Sequence, residues 1–293
     1  MKHSIEGRVA IVTGAGGGLG REHALFLARW GARGVVNDVS PAAAESVANE
    51  IKADGGMALP YAASVTDENA IAGLVKRTLA EWERIDILVN NAGILRDKSF
   101  AKMSLEDFRL VLDVHLMGSV ICTKAVWEPM REQRFGRVVF TTSSSGLYGN
   151  FGQANYGAAK MALVGLMQTL SIEGAKDGIR VNCLAPTAST RMTEGLLPAA
   201  ALERLTPESV TPGLLHLVSD DAPTRAILCA GAGTFERAYV TLTSGVHLGT
   251  GADAAERVAE QFELISDRTD EVVPESGNAQ GSNEVGKAVA AAG

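Results

Sequence analysis

The chain has 293 residues, 46% of them hydrophobic and 21% charged, which supplies a sizeable core and excludes global disorder. Its net charge of −7, with no block of Lys and Arg, argues against nucleic acid or an anionic membrane as partner. Cys122, Cys183 and Cys229 are scattered, odd in number and free of C-x-x-C spacing, so neither a disulfide framework nor a metal site is expected. The first residues carry no signal-type apolar run, and no stretch approaches the roughly 18 consecutive apolar residues of a membrane span. A soluble, cytoplasmic protein is the expectation.

Short β-branched or Leu-rich runs alternate with helical patterns. Strands are predicted over 8–13, 34–38, 58–64, 85–90, 137–142, 179–184 and 226–230, and helices over 19–30, 41–53, 67–82, 104–132, 154–176 and 253–264. Strands such as Val9-Ala10-Ile11-Val12 are apolar throughout, as parallel strands covered on both faces must be. The expected fold is therefore α/β, a doubly wound parallel sheet of about seven strands in a single domain spanning 1–273. Three prolines between 187 and 212 interrupt the alternation where a substrate lid would sit, and from Pro274 the composition shifts to that of a mobile tail, with a short docked helix as the alternative.

The first strand runs into Thr13-Gly14-Ala15-Gly16-Gly17-Gly18-Leu19-Gly20 and then an apolar-periodic helix. Gly14, Gly18, Leu19 and Gly20 would form a tight turn whose free N–H groups and helix end meet a pyrophosphate, though a glycine-rich turn without ligand fits the same residues. Asp38 closes the second strand, where a carboxylate accepts from both adenosine ribose hydroxyls and repels a 2′-phosphate. Val39 and Gly17 stand where basic partners for that phosphate would be needed, so NAD is expected over NADP. A capping role for Asp38 ahead of Ser40-Pro41 is the alternative.

Tyr156 and Lys160 lie four apart on one helix face. A phenol titrates near pH 10, and a neighbouring ammonium favours its phenolate, so Tyr156 could exchange protons near neutrality. Such a pair is also a common solvated neighbourhood. Ser143, at the end of a predicted strand, could orient a carbonyl or hydroxyl for Tyr156.

Taken together, Thr13-Gly14-x-x-x-Gly18-x-Gly20, Asn90-Asn91-Ala92-Gly93, Ser143 and Tyr156-x-x-x-Lys160 resemble the short-chain dehydrogenase/reductases, over roughly residues 5–250. The T-G-x-x-x-G-x-G spacing sets the chain apart from the extended subclass. The resemblance implies a Rossmann sheet of order 3-2-1-4-5-6-7, with Tyr156 as general acid/base. Lys160 would bind the nicotinamide ribose and lower the tyrosine pKa, and Ser143 would position the substrate oxygen. It further implies that Asn91, Ala92 and Gly93 line the adenosine ribose side, that Ser64 and Val65 flank the adenine, and that the chain forms a homodimer or homotetramer.

A finer likeness runs through Asn90 to Phe100, Val114-His115-Leu116, Ser145 to Tyr156, with Gly149-Asn150-Phe151-Gly152-Gln153 its most specific part, and Ala185 to Thr193. These segments are similar to the (3R)-hydroxyacyl-CoA dehydrogenase unit of the peroxisomal multifunctional enzymes of type 2. The fused hydratase and sterol-carrier units of that family have no counterpart in the sequence, so a free-standing relative acting on an acyl-CoA is expected. Two departures stand out. His115 replaces the Asn that most family members use to hold a water chain from the lysine, and it either takes over that role or fills space around a kinked helix. Pro186-Thr187 replaces the common Pro-Gly beside the nicotinamide. Dehydrogenation of a steroid, a xenobiotic alcohol or an acyl-carrier-protein thioester is the rival within enzymes, and a non-catalytic NAD-binding regulator the rival outside them.

Overall fold

The computed structural model describes residues 4–188 and 203–292. The strands are β1 (Val9–Thr13), β2 (Arg33–Asp38), β3 (Ala58–Ala62), β4 (Ile87–Asn90), β5 (Gly136–Thr141), β6 (Ile179–Pro186), β7 (Ile227–Gly231) and β8 (Thr234–Ala238). They form one sheet in the order 3-2-1-4-5-6-7-8, with every registered pair from β3 to β7 parallel. The expected seven-strand order is present, and β8 is an addition. It follows β7 through Ala232-Gly233, both at positive φ, a two-residue turn that returns the chain antiparallel.

Helices α1 (Gly18–Arg29), α2 (Pro41–Ala53), α3 (Glu68–Trp82), α4 (Leu105–Leu112), α5 (Gly118–Glu132), α6 (Ser144–Tyr148), α7 (Ala154–Gly174) and α8 (Thr211–Val218) complete the main unit. Their starts follow local chemistry: Ser40 accepts from Ala43 N, with Pro41 in the first turn, and Asp67 accepts from Ala70 N. Ala10, Val12, Val36, Val89, Val139 and Leu184 pack against α1, α2 and α8 through Leu25, Leu27, Val47, Ile51, Leu214 and Val218. On the other face Phe140 and Val138 are buried along with Val111, Cys122, Val126, Met130, Leu163 and Met167. The helical stretch Leu105–Glu132 is long and apolar enough to cross a membrane by composition. Val111, Cys122, Val126 and Met130 from it are buried in that core, whereas Leu105, Leu110 and Met117 are exposed.

Between α4 and α5 the helix passes through a π-turn, Asp113–Met117. One extra residue per turn rotates His115 inward, where it is buried. Two short helices, α6 and α8, go beyond the predicted pattern; α8 falls at the end of the predicted lid, of which 189–202 lie outside the described residues. Trp30, which follows α1, is exposed, while Trp82 and Trp127 are half-buried, the Trp127 ring lying against Gly174 of α7.

The chain divides into two compact units, Met1–Arg237 and Ala238–Gly293, so the boundary falls well before the expected 273. In the second unit, α9 (Ala254–Glu260), α10 (Phe262–Ile265) and α11 (Asn278–Ala292) are joined by a bridge in which Leu242 and Val272 exchange two 2.9 Å backbone hydrogen bonds. Residues expected as a tail are thus largely helical; Gly281 and Gly286 mask that propensity in the sequence, and Ala-rich turns restore it.

Candidate active site

The glycine loop is built by what its residues lack. Gly14 and Gly18 have φ of +61° and +53°, a region that side chains rarely enter. A Cβ on Gly14 would stand 2.7 Å from Ala92 Cα, and one on Gly20 would collide with Gly14 O. Asn91 explains this closeness. Its Nδ2 donates to Thr13 O at 3.0 Å and Gly14 O at 3.2 Å, while Thr13 Oγ1 accepts from Asn91 N and Ala92 N. Asn91 and Ala92 therefore tie the loop to the end of β4. Leu19 is buried beneath the first turn of α1.

Asp38 reaches across to this loop. Its Oδ2 accepts from Gly16 N at 2.9 Å and its Oδ1 from Ser40 N at 3.0 Å. The N-cap of α2 is Ser40, so the capping alternative for Asp38 does not hold. Val39 beside it is exposed, and a Cβ on Gly17 would meet nothing within 4 Å. The loop thus offers an open, Cβ-free cradle at a helix N-terminus beside a carboxylate, a fit for the pyrophosphate and ribose of a nicotinamide dinucleotide. Ser64 is half-buried and bonded to Thr66 Oγ1 at 2.8 Å. Val65 is buried against Gly118, a packing contact the sequence did not disclose. Pro186 ends β6 opposite Ala230, and Thr187 N continues the ladder to Ala230 O at 2.8 Å.

At the neighbouring strand ends, Ser143 caps α6 and accepts from Ser145 N at 3.2 Å. Close crossing of α6 over α7 brings Ser143 to Tyr156. The crossing depends on Gly146, whose Cβ would lie 2.7 Å from Lys160 Cβ. Ser143 stands near enough to the Tyr156 phenol to favour its ionisation, and His115 meets the phenol ring edge-on at a centroid distance of 5.2 Å. The loop between α6 and α7 is held by Gln153, which donates to Asp97 Oδ2 at 2.6 Å and accepts from Ser145 Oγ at 2.7 Å. Asn155 donates to Arg96 O at 3.1 Å and accepts from Tyr156 N at 2.7 Å. Gly146, Gln153, Asp97 and Asn155 lie in the segments that carry the finer likeness, but spacing alone does not reveal the Gln153–Asp97 and Asn155–Arg96 contacts, 56 and 59 residues apart.

Lys160 is buried, with Nζ donating to Thr141 O at 2.5 Å and lying 5.4 Å from the Tyr156 ring centroid. Burial drops its pKa from 10.5 to about 7. Burial raises the Tyr156 pKa, the neighbouring Ser143 hydroxyl opposes the rise, and Asp97 adds to it. An ammonium that is only half charged at neutral pH is a weak stabiliser of phenolate.

His115 is neutral over the ordinary range, because burial and the nearby Lys160 charge push it down to about 3. Its Nε2 lies 2.8 Å from Ile94 O and 3.1 Å from Ile94 N, contacts that a neutral ring satisfies one at a time. Donation to the carbonyl, the shorter contact, leaves Nδ1 a buried lone pair with no protein partner among the described residues. Gly93 makes room for this ring: the imidazole occupies the space a Cβ would take, with Nδ1 at 3.0 Å and Nε2 at 3.2 Å from it.

This arrangement has clear relatives. The short chain dehydrogenase family profile matches residues 8–200. A Mycobacterium tuberculosis chain named as a short-chain type dehydrogenase/reductase is 45% identical, covering 89% of this chain and 96% of its own length. The peroxisomal multifunctional enzyme type 2 of Drosophila melanogaster is 43% identical over 86% of this chain, which spans only 42% of that relative. Its full-length structure superposes with a TM-score of 0.83 at 36% identity, over 98% of this chain and 50% of that one. A 7α-hydroxysteroid dehydrogenase, solved with NADH and 7-oxo glycochenodeoxycholic acid, superposes with a TM-score of 0.74 at 28% identity, over 79% and 96% of the two chains. With glycine cradle, Ser143, Tyr156 and Lys160 on one sheet edge, the chain belongs to the short-chain dehydrogenase/reductases, nicotinamide-dependent oxidoreductases that interconvert alcohols and ketones.

Proposed function

We propose that this chain is an NAD-dependent dehydrogenase that interconverts (3R)-hydroxyacyl-CoA and 3-ketoacyl-CoA thioesters, working as a homodimer or homotetramer in the cytoplasm. The observation that carries the chemistry is the convergence of Ser143, Tyr156 and Lys160. Gly14, Gly18, Leu19, Gly20, Asp38, Ser64, Val65 and the Asn91–Gly93 segment would hold the dinucleotide, with Pro186 beside the nicotinamide. A nicotinamide bound there would supply the hydride acceptor for oxidation and the hydride donor for reduction.

The residues of the chain handle the proton. Ser143 would hold the substrate oxygen within reach of Tyr156 Oη, which donates its proton in reduction and, once that proton has passed to neutral Lys160, takes the hydroxyl proton in oxidation. Lys160, titrating near 7, holds or releases a proton at the pH where the reaction must run. His115 Nδ1 accepts a hydrogen bond on the path from Lys160 outward, replacing the asparagine usual in the family. Raised above its ordinary value, the Tyr156 phenol stays protonated over most of the pH range, which suits the reductive direction as a ready acid.

Support for the acyl-CoA substrate is the likeness to the multifunctional enzyme at 43% identity, together with the Gly149–Gln153 segment that Asp97 pins beside Ser143. The steroid dehydrogenase neighbour, at 28% identity, makes a steroid alcohol the second reading. The test is cofactor reduction with (3R)- and (3S)-hydroxyacyl-CoA, with Tyr156→Phe in parallel. R-selective turnover is expected, with a loss of about 10²–10⁴-fold in the variant. Oxidation of neither thioester overturns the substrate assignment, and full activity in Tyr156→Phe overturns the proton route.

A further inference from the structure

We propose that Gly16, which lies between the motif glycines and belongs to none of the positions that define the loop, is a specificity-determining residue that sets the position of Asp38 and through it the choice of NAD. The inference rests on the NAD reading above and extends it to a residue with no side chain of its own.

Asp38 has little freedom in its backbone. It is registered opposite Ala62 at the end of β2, and its carbonyl accepts from Ala63 N at 3.0 Å. The carboxylate is therefore placed by its side-chain torsions and by two N–H donors, Ser40 N and Gly16 N. Gly16 N–H is spent on this bond, so it is not among the donors the loop offers a pyrophosphate. It ties the carboxylate that would read the ribose to the loop that would cradle the phosphates.

That tie requires glycine for reasons of space and not of φ. A Cβ at position 16 would stand 2.8 Å from both Cγ and Oδ2 of Asp38 and 2.7 Å from Ala43 Cβ in the first turn of α2. Real Cβ atoms do not make contacts of this length, so the carboxylate must swing away or the loop must lift. Either movement breaks the Gly16 bond and leaves Asp38 held by Ser40 alone. Ala43 closes the other side, so the side chain at 16 has no free direction between α2 and Asp38.

The experiment measures dissociation constants for NAD and NADP by calorimetric titration of the full chain, with Gly16→Ala, Asp38→Asn and the double variant. Wild type is expected to bind NAD more tightly than NADP. Gly16→Ala is expected to weaken NAD binding about tenfold, the worth of one charge-assisted hydrogen bond, while NADP binding changes much less. In the Asp38→Asn background the same Gly16→Ala change is expected to cost little more, since its effect passes through the carboxylate. Should Gly16→Ala fold poorly, Gly16→Ala combined with Ala43→Gly removes the helix contact, keeps the Asp38 contact and takes its place in the cycle. An unchanged NAD-to-NADP ratio in Gly16→Ala, or an equal loss with and without Asp38, overturns the proposal and assigns position 16 to loop shape alone. Tighter NADP binding by wild type instead overturns the NAD reading, an outcome read before any variant is made.

Discussion

The two ends of the sheet each bury a cation, and they treat it in opposite ways. Arg137, at the N-terminal edge, donates to the carbonyls of Ser219, Gly136, Gly178 and Asp220 at 2.8 to 3.1 Å. Its guanidinium also lies 4.0 Å over the Phe135 ring, with Arg8 at 3.8 Å from the same centroid. Burial and the neighbouring Arg180 lower it to about 10, so it is still charged at every physiological pH. Lys160, at the C-terminal edge, is equally hidden, both residues being 3% exposed, but donates to a single carbonyl, that of Thr141. A buried charge surrounded by acceptors is a structural clamp; one left short of acceptors has its proton loosened into the working range.

Lys160→Met is the strongest way to break this contrast. Turnover is expected to fall by about 10²-fold or more, because the proton route beside Tyr156 loses its end. Stability is expected to move the other way at neutral pH. The folded lysine titrates near 7 and the unfolded one near 10.5, so between those values the unfolded chain binds more protons and wild-type stability climbs as pH rises. The variant lacks that slope and should melt about 5 °C higher at pH 7, with the gap closing in alkali. A variant that melts lower at pH 7 would mean that Lys160 is fully compensated after all.

Arg137→Met sharpens the same comparison with the opposite sign. Four carbonyls lose their donor, and a loss of about 3 kcal/mol is expected in denaturant unfolding, with turnover per folded molecule retained. Equal effects of the two substitutions on stability would erase the distinction between clamp and proton site.

What the sequence disclosed divides along a similar line. Asp38 at the end of β2, Tyr156 and Lys160 one helical turn apart, and the glycines between β1 and α1 are legible because each depends on neighbours a few residues away. Arg137 was not, since its acceptor Ser219 lies 82 residues along the chain. Gly146 reads as an ordinary glycine until α6 is seen crossing α7, and β8 has no Asn-Gly or Asp-Gly turn to announce it, only Ala232 held at φ +50°. Burial, which raises the Tyr156 pKa and lowers that of Lys160, is equally hidden from the sequence. Spacing shows that the two are neighbours, but burial decides which of them is charged.

The finest test concerns Gly93 and His115, distant in sequence and in contact in space. Gly93→Ala drives a methyl group into the imidazole, with Nδ1 at 3.0 Å and Cε1 closer still. Overpacking of this kind costs about 1–3 kcal/mol, and the ring must leave either Ile94 or the Tyr156 edge to relieve it. The expected result is a lower melting temperature and a several-fold loss of turnover, the latter because the ring that borders the phenol has turned. His115→Asn puts a shorter side chain in the same place and removes the cause. The double variant Gly93→Ala with His115→Asn should therefore resemble His115→Asn alone, a departure from additivity that a melting curve and a rate both report. If Gly93→Ala proves as costly in the His115→Asn background as in the wild type, the glycine serves the turn after β4 and not the histidine.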